Sequence, residues 1–111
     1  QAMNTGHEGS LSTGHANSPY DMLSRLEVMT MMAGEELPLM AVRSQIASAI
    51  DIIVHLGRLK SGKRVIKEIC RIEGINEGEI VMSRLFYSEV TSDSEENYRL
   101  CKSPSCRVEK A

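Results

Sequence analysis

The chain has 111 residues, of which 41% are hydrophobic and 25% charged, and its formal net charge at pH 7 is −2. This composition is typical of a globular domain, and so small a net charge does not argue for a nucleic-acid-binding or membrane-binding protein. No apolar run approaches the ~20 residues of a membrane-spanning helix, and no stretch resembles a secretory signal. The cysteines number three, and this odd set does not suggest a secreted disulfide framework, so a cytoplasmic environment is expected.

The first 16 residues predict a helix end followed by a short strand. Residues 1–8 resemble the frayed end of a helix, and residues 9–16, GSLSTGHA, are predicted as the strand. Only Leu11 and Ala16 are apolar in it, so the strand is expected at a sheet edge or lining a site. Because the sequence opens inside a pattern, we expect the chain to be a C-terminal piece of a longer protein.

Two amphipathic helices are predicted next, over residues 19–33 and 38–50. Ser18 is a good N-cap, Pro19 suits the first helical position, and Gly34 is a typical helix end. Pro38 opens the second helix. Apolar residues recur at helical spacing in both segments, namely Met22, Leu23, Leu26, Met29 and Ala33, then Val42, Ile46, Ala49 and Ile50.

From residue 51 the pattern of apolar residues changes from that of helices to that of strands. Residues 51–59, 65–72 and 80–87 are predicted as an antiparallel three-stranded meander with turns at Ser61-Gly62 and at residues 76–79. Beyond Val90 the chain becomes polar and rich in turn residues, so residues 91–111 are predicted as a loosely ordered tail.

Several polar residues have an ordinary structural interpretation. His55 lies in an apolar strand and is expected as a hydrogen-bonded core histidine, and the methionines are expected to fill the core. A metal site combining His7 and His15 with Cys101 and Cys106 is a weak alternative, because zinc sites usually show tighter spacings. The basic residues beside the first hairpin turn are expected to be solvated rather than to bind nucleic acid: Arg58, Lys60, Lys63 and Arg64. Arg25, Glu27 and Arg43 are expected either to pair on helix surfaces or to contact a neighbouring subunit.

The stretch AMNTGHEGSLSTGHANSPYDMLSRLE resembles the histidine-box segment of the secretion ATPase superfamily, the bacterial hexameric P-loop motors of type II secretion, pilus assembly and conjugation. The following ELPLMAVRSQIASAIDIIVHLGRLKSGKRVIKEICRIEG resembles the helix and strands that complete their C-terminal RecA-like domain. The resemblance runs to about Tyr87 and is strongest to the tight-adherence pilus and conjugation branch. It implies an α/β fold in which residues 1–90 are the C-terminal portion of the RecA-like ATPase domain.

The resemblance also implies a site. His15 matches the second histidine of the box and His7 the first, which assigns both to catalysis as residues that sense or orient groups at the nucleotide. Ser12 and Thr13 lie on the same strand and are expected to contact the nucleotide. Gly14 departs from the family pattern, in which a larger residue is expected, and it should loosen the strand beside His15.

In the family that the chain resembles, the Walker A loop and the Walker B acid precede the histidine box, and neither is expected in this chain, which contains no GxxxxGK[ST] pattern. ATP and Mg²⁺ are therefore expected as cofactors of the parent protein and not of this fragment, which should be inactive alone. Because the absent Walker strands would leave the strand around residues 10–16 with an unpaired edge, the fragment is also expected to self-associate, most simply as a dimer. The resemblance further implies a cytoplasmic homo-hexameric ring, peripheral to the inner membrane, that docks on secretion or pilus proteins without nucleic acid. The alternative is an independent protein-interaction module that binds no nucleotide.

Overall fold

The computed structural model describes residues 9, 11–34, 37–90 and 98–107. Two helices precede a four-stranded antiparallel sheet whose strands follow the chain order β1-β2-β3-β4. Both helices contact the sheet, which makes the fold class α/β as predicted. The elements are α1 (Pro19–Met32), α2 (Leu39–Ala49), β1 (Ile52–Arg58), β2 (Arg64–Asn76), β3 (Glu79–Val90) and β4 (Tyr98–Arg107).

Local signals position both helices, and the two predicted helices are confirmed to within one residue at each end. The Asp21 N–H donates to Ser18 Oγ at 3.0 Å, and Pro19 occupies the first turn, where its missing N–H costs nothing. Pro38 precedes α2, which begins at Leu39.

Tight turns set the order of the strands. Glu77 and Gly78 both have positive φ, +52° and +80°, which is the conformation of the two-residue turns that suit the twist of a hairpin. In the other turn the Leu59 N–H donates to the Lys63 carbonyl and the Gly62 N–H to the Leu59 carbonyl. Both turns lie where the sequence predicts them.

The predicted three-stranded meander is wrong by one strand. Strand β4 pairs with β3 within the segment predicted as a polar tail, for example Cys101 opposite Tyr87. The Tyr98 hydroxyl also donates to the Ile66 carbonyl at 2.6 Å, which ties β4 to β2. Long-range pairing therefore orders residues whose local composition indicates a loop. All described strand pairs are antiparallel, so the RecA-like architecture stays a prediction from the resemblance.

The predicted strand over residues 9–16 is also wrong for its described part. Residues 11–16 form no strand in the structure, because no described segment offers them a ladder of backbone hydrogen bonds. The helix end expected in residues 1–8 lies outside the described residues.

The core lies between the helices and one face of the sheet. Met82 of β3, Val42 of α2 and Cys70 of β2 are fully buried at its centre. The expectation that methionines fill the core holds for Met82, whereas Met32 is 79% exposed. The remaining buried members of this cluster are Leu23, Ile46, Ile72 and Ile80.

Candidate functional site

Three of the four predicted site residues lie on one exposed segment that leads into α1. The side chains of Ser12, Thr13 and His15 are all exposed, and Leu11 beside them is 96% exposed. His7 lies outside the described residues. The segment therefore presents an imidazole and two hydroxyl groups to the surroundings instead of enclosing them.

A compact cap holds the C-terminal end of this segment. The Asn17 N–H donates to Asp21 Oδ2 at 2.9 Å, and Arg25 Nε donates to the same oxygen at 2.9 Å. The Asn17 hydrogen bond, followed by that from Arg25, holds the pKa of Asp21 below its usual value. His15 thus stands two residues before a backbone position that is fixed relative to α1.

Gly14 permits a close approach between this segment and α1. A Cβ atom at residue 14 would lie 2.7 Å from Met22 Cε and 3.4 Å from its Sδ, so a larger residue would require the Met22 side chain to move. The departure from the family pattern at Gly14 therefore coincides with packing against α1. The sequence alone carries no signal for this contact.

In the part of the chain that the structure describes, two of the concavities flank the helices, and the histidine segment lines neither of these two. One is a small hollow around Tyr20, Glu27 and Arg43. The other is an open groove of about 280 Å³ between α1 and α2, lined by Leu26, Met29, Thr30, Ala33, Ile46, Ala49 and Ile50.

Arg43 joins α2 to α1 and to the β2–β3 turn. Its Nε donates to Glu27 Oε1 and its Nη1 to the Gly78 carbonyl, both at 2.6 Å. The Glu27 hydrogen bond raises the pKa of the guanidinium, and Glu79 lies 3.6 Å away. Of the two interpretations for Glu27 and Arg43, the structure shows the pairing on the helices.

A polar cluster on β1, β2 and β3 was missed by sequence reasoning. Glu68 Oε1 accepts from Arg84 Nε at 3.3 Å and from the Cys70 thiol at 3.4 Å, and its other oxygen lies 3.8 Å from His55 Nδ1. Burial, together with the Glu68 charge, raises the pKa of Cys70 to about 12. Glu68 and Cys70 are two residues apart on β2, but only the register of the strands brings His55 and Arg84 to them, so the sequence does not reveal the cluster.

His55 differs from the hydrogen-bonded core residue that was expected. It is only half-buried, and among the described residues its buried Nδ1 has no hydrogen-bond partner. Within the described ranges no group of three or more His, Cys, Asp or Glu side chains is placed to hold a metal ion.

The first hairpin contains a near match to a phosphate-binding loop. Residues 57–64, GRLKSGKR, contain the two glycines and the lysine of GxxxxGK[ST], but Arg64 replaces the final hydroxyl residue. The segment joins two antiparallel strands, and no helix follows it to direct backbone N–H groups at a phosphate. It is therefore not a Walker A loop.

In the part of the chain that the structure describes, no helix combines the length and apolar character needed to cross a membrane.

Comparison with known proteins shows consistent matches. The sequence profile of the family described as type II/IV secretion system protein matches residues 1–109. A putative conjugal transfer protein of Mycobacterium tuberculosis is 40% identical over 68 residues, which are 61% of this chain and 19% of that protein. Conjugal transfer protein TrbB of Rhizobium radiobacter is 34% identical over 94 residues, 85% of this chain and 27% of that protein.

A probable conjugal transfer protein TrbB of Sinorhizobium fredii is 32% identical over 98 residues, 88% of this chain. The aligned segments are 19% to 28% of these relatives' lengths, so the chain spans about a fifth to a quarter of each.

Proposed function

Because this chain belongs to the type II/IV secretion system protein family, which is a family of ATPases, we propose that it is the C-terminal part of a motor that couples ATP hydrolysis to protein secretion or pilus assembly. The match over residues 1–109 carries this proposal. The relatives named for conjugal transfer favour the conjugation branch of the family.

In this proposal the histidine segment acts on the γ-phosphate of ATP. Phosphoryl transfer depends on positioning and on stabilising charge at the phosphate oxygens, with little covalent chemistry by the protein. His15 donates a hydrogen bond to a γ-phosphate oxygen, and Ser12 and Thr13 contact the same nucleotide. Their exposed positions support this role, because exposed donors can meet a ligand held by another part of the protein. His7 is proposed as a second sensing residue.

ATP and Mg²⁺ are proposed to be held mainly by parts of the parent protein that contain the Walker motifs. The described residues do not fit a magnesium site of their own, because they gather no group of three potential ligands. We expect the 111-residue chain alone to be inactive and to show no micromolar ATP binding in calorimetry with Mg²⁺. Micromolar binding would contradict this expectation.

The parent protein is proposed to form a cytoplasmic homo-hexameric ring, peripheral to the inner membrane, that docks on membrane-bound secretion or pilus proteins without binding nucleic acid. The isolated chain is proposed to self-associate, because Ile52 and Val54 on edge strand β1 are about half exposed. Sedimentation equilibrium at tens of micromolar should give a mass above the monomer value of 12.3 kDa. A clean monomer would contradict self-association.

The decisive experiment measures ATP turnover and nucleotide affinity of the full-length protein with His15→Ala. Removing one positioned donor from a charged transition state should lower turnover by about 10²-fold, with affinity nearly unchanged. Ser24→Ala, an exposed change on α1, is the matched control and should retain wild-type turnover. Normal turnover in His15→Ala would contradict the role of this residue. A full-length protein that binds no ATP would instead favour the interaction module.

A further inference from the structure

We propose that Arg43 is a positioning residue for His15, which it holds in place through α1. The arginine lies where α1, α2 and the β2–β3 turn meet. Its Nε donates to Glu27 Oε1 on α1 and its Nη1 to the Gly78 carbonyl in the turn, both at 2.6 Å. The inference rests on the proposed function, because it supposes that His15 acts at the γ-phosphate of ATP.

The place of His15 follows from that of α1. The Asn17 N–H donates to Asp21 Oδ2 at 2.9 Å, and the Asp21 N–H donates to Ser18 Oγ at 3.0 Å. These hydrogen bonds fix the backbone two residues after His15 relative to the first turn of the helix. Residues 11–15 are exposed, so the described part of the segment has little packing of its own. A shift of α1 therefore moves His15.

Apolar packing constrains the orientation of α1 only weakly. Of its 14 residues only Pro19 and Leu23 are buried, and both lie in its first half. Near its end Met29 and Met32 are 65% and 79% exposed. Apolar contacts are also non-directional. Glu27 provides a second fixed point one turn after Leu23, and two points along the helix together set its tilt.

The pair that Glu27 forms with Arg43 is suited to this task. The side chains of Glu27 and Arg43 are 14% and 19% exposed, whereas those of Asp21 and Arg25, a surface pair of the same helix, are 32% and 54% exposed. A planar guanidinium donates in fixed directions, so its two hydrogen bonds set both the distance and the orientation between the helix and the turn. The turn leads directly into buried Ile80, which anchors the junction in the core.

A purely structural ion pair would have a different effect on turnover. Its loss would change turnover by the same factor whether or not the His15 imidazole is present. A positioning residue acts through His15, so its loss should matter only while that imidazole is there. A double-mutant cycle between Arg43 and His15 separates the two roles.

The test measures ATP turnover and nucleotide affinity of the full-length protein with Arg43→Gln, with His15→Ala and with both changes. Arg43→Gln should lower turnover about 10-fold with affinity nearly unchanged, because even a small displacement of an orienting group slows the reaction. Added to His15→Ala, it should lower turnover by less than about two-fold. Glu27→Gln weakens the same junction from its other side and should reproduce both results.

The matched control is Arg84→Gln. It removes another partly buried ion pair, the one with Glu68, which joins β2 to β3 within the sheet. This variant should retain wild-type turnover. Hydrogen–deuterium exchange of the full-length protein without nucleotide adds a readout that does not depend on turnover. Arg43→Gln should speed the exchange of α1 N–H groups several-fold, and Arg84→Gln should not.

Three results would overturn the inference. They are equal-fold losses of turnover from Arg43→Gln with and without His15, wild-type turnover in both Arg43→Gln and Glu27→Gln, and unchanged exchange of α1 in Arg43→Gln. Failure of the proposed function is distinguishable from these. It is absent turnover in the wild type or normal turnover in His15→Ala, before any change at Arg43, and the inference then falls with it.

Discussion

The helix–sheet core and the histidine segment differ in burial: the centre of the core is buried, whereas the segment is exposed. Val42, Cys70 and Met82 are completely buried, and the buried cluster around them draws on four elements, α1, α2, β2 and β3. Residues 11–16 form no strand, and His15 is exposed. The core therefore finds its packing partners within this chain, while the chemistry proposed for His15 depends on a ligand or protein surface brought to it. Stability and function should respond to different substitutions.

The largest expected effect comes from the core. Met82→Ala should lower the free energy of unfolding of this chain by about 2–5 kcal/mol, because it leaves a cavity at a fully buried position. His15→Ala should change it by less than about 0.5 kcal/mol, as for other exposed positions. Urea denaturation followed by circular dichroism measures both. A large decrease in the free energy of unfolding of His15→Ala would show that the His15 side chain packs against the rest of the chain.

Next in size is the bridge that joins the helices to the sheet. Arg43→Ala should lower the free energy of unfolding by about 1–3 kcal/mol, because Glu27 and the Gly78 carbonyl lose their donor. Arg25→Ala, whose ion pair with Asp21 lies at the surface, is the control and should cost less than about 1 kcal/mol. If both variants lowered the free energy of unfolding equally in the same urea assay, the bridge made by Arg43 would contribute no more than a surface ion pair.

The two thiols that the structure describes should react at different rates. Cys70 is buried with its pKa raised to about 12, whereas Cys101 is partly exposed on β4. Because the thiolate is the nucleophile, alkylation at pH 8 should be at least about 10-fold slower at Cys70. Peptide mass spectrometry after timed iodoacetamide treatment reports both sites. Comparable rates would mean that the sheet opens readily at β2.

The raised pKa of Cys70 also predicts how the free energy of unfolding changes with pH. The unfolded thiol ionises near its ordinary value of 9.0 and the folded one near 12, so the folded state is favoured below pH 9. This contribution should be lost progressively as the pH rises from 9 to 12, and Cys70→Ala should show a weaker decline. Urea midpoints at pH 8 and pH 10 give the measurement, and identical declines would contradict the assignment.

The smallest effect concerns the junction between the two regions. Ser18→Ala removes the acceptor for the Asp21 N–H and should cost about 1 kcal/mol in the free energy of unfolding. In the full-length protein it should also lower ATP turnover more than Ser24→Ala does, because Ser18 Oγ holds the Asp21 backbone and the Asp21 carboxylate in turn accepts from the Asn17 N–H, two residues after His15. Unchanged turnover would mean that α1 does not position the histidine.

Local chemistry determined the helices and turns, and these were predictable. Ser18-Pro19 and Pro38 act within one helical turn. The β2–β3 turn depends on the positive φ angles of two adjacent residues, Glu77 and Gly78, and is therefore also local. The identity of the site residues came from a resemblance and not from geometry. The predicted roles of His15, Ser12 and Thr13 therefore remain predictions, although the segment that carries them is described.

Tertiary structure alone decided the remaining features, because their energies come from partners distant in sequence. Residues 98–107 contain Pro104, which argues against a strand, yet the proline lies at an irregularity between the pairs at Lys102 and Cys106. Conversely, residues 11–16 form no strand because none of the described strands pairs with them. Glu68 meets His55 and Arg84 only through the register of three strands. Sequence periodicity indicates which face of a strand is apolar. Which strands pair, and in which register, is determined only when segments distant in sequence come together in the folded chain.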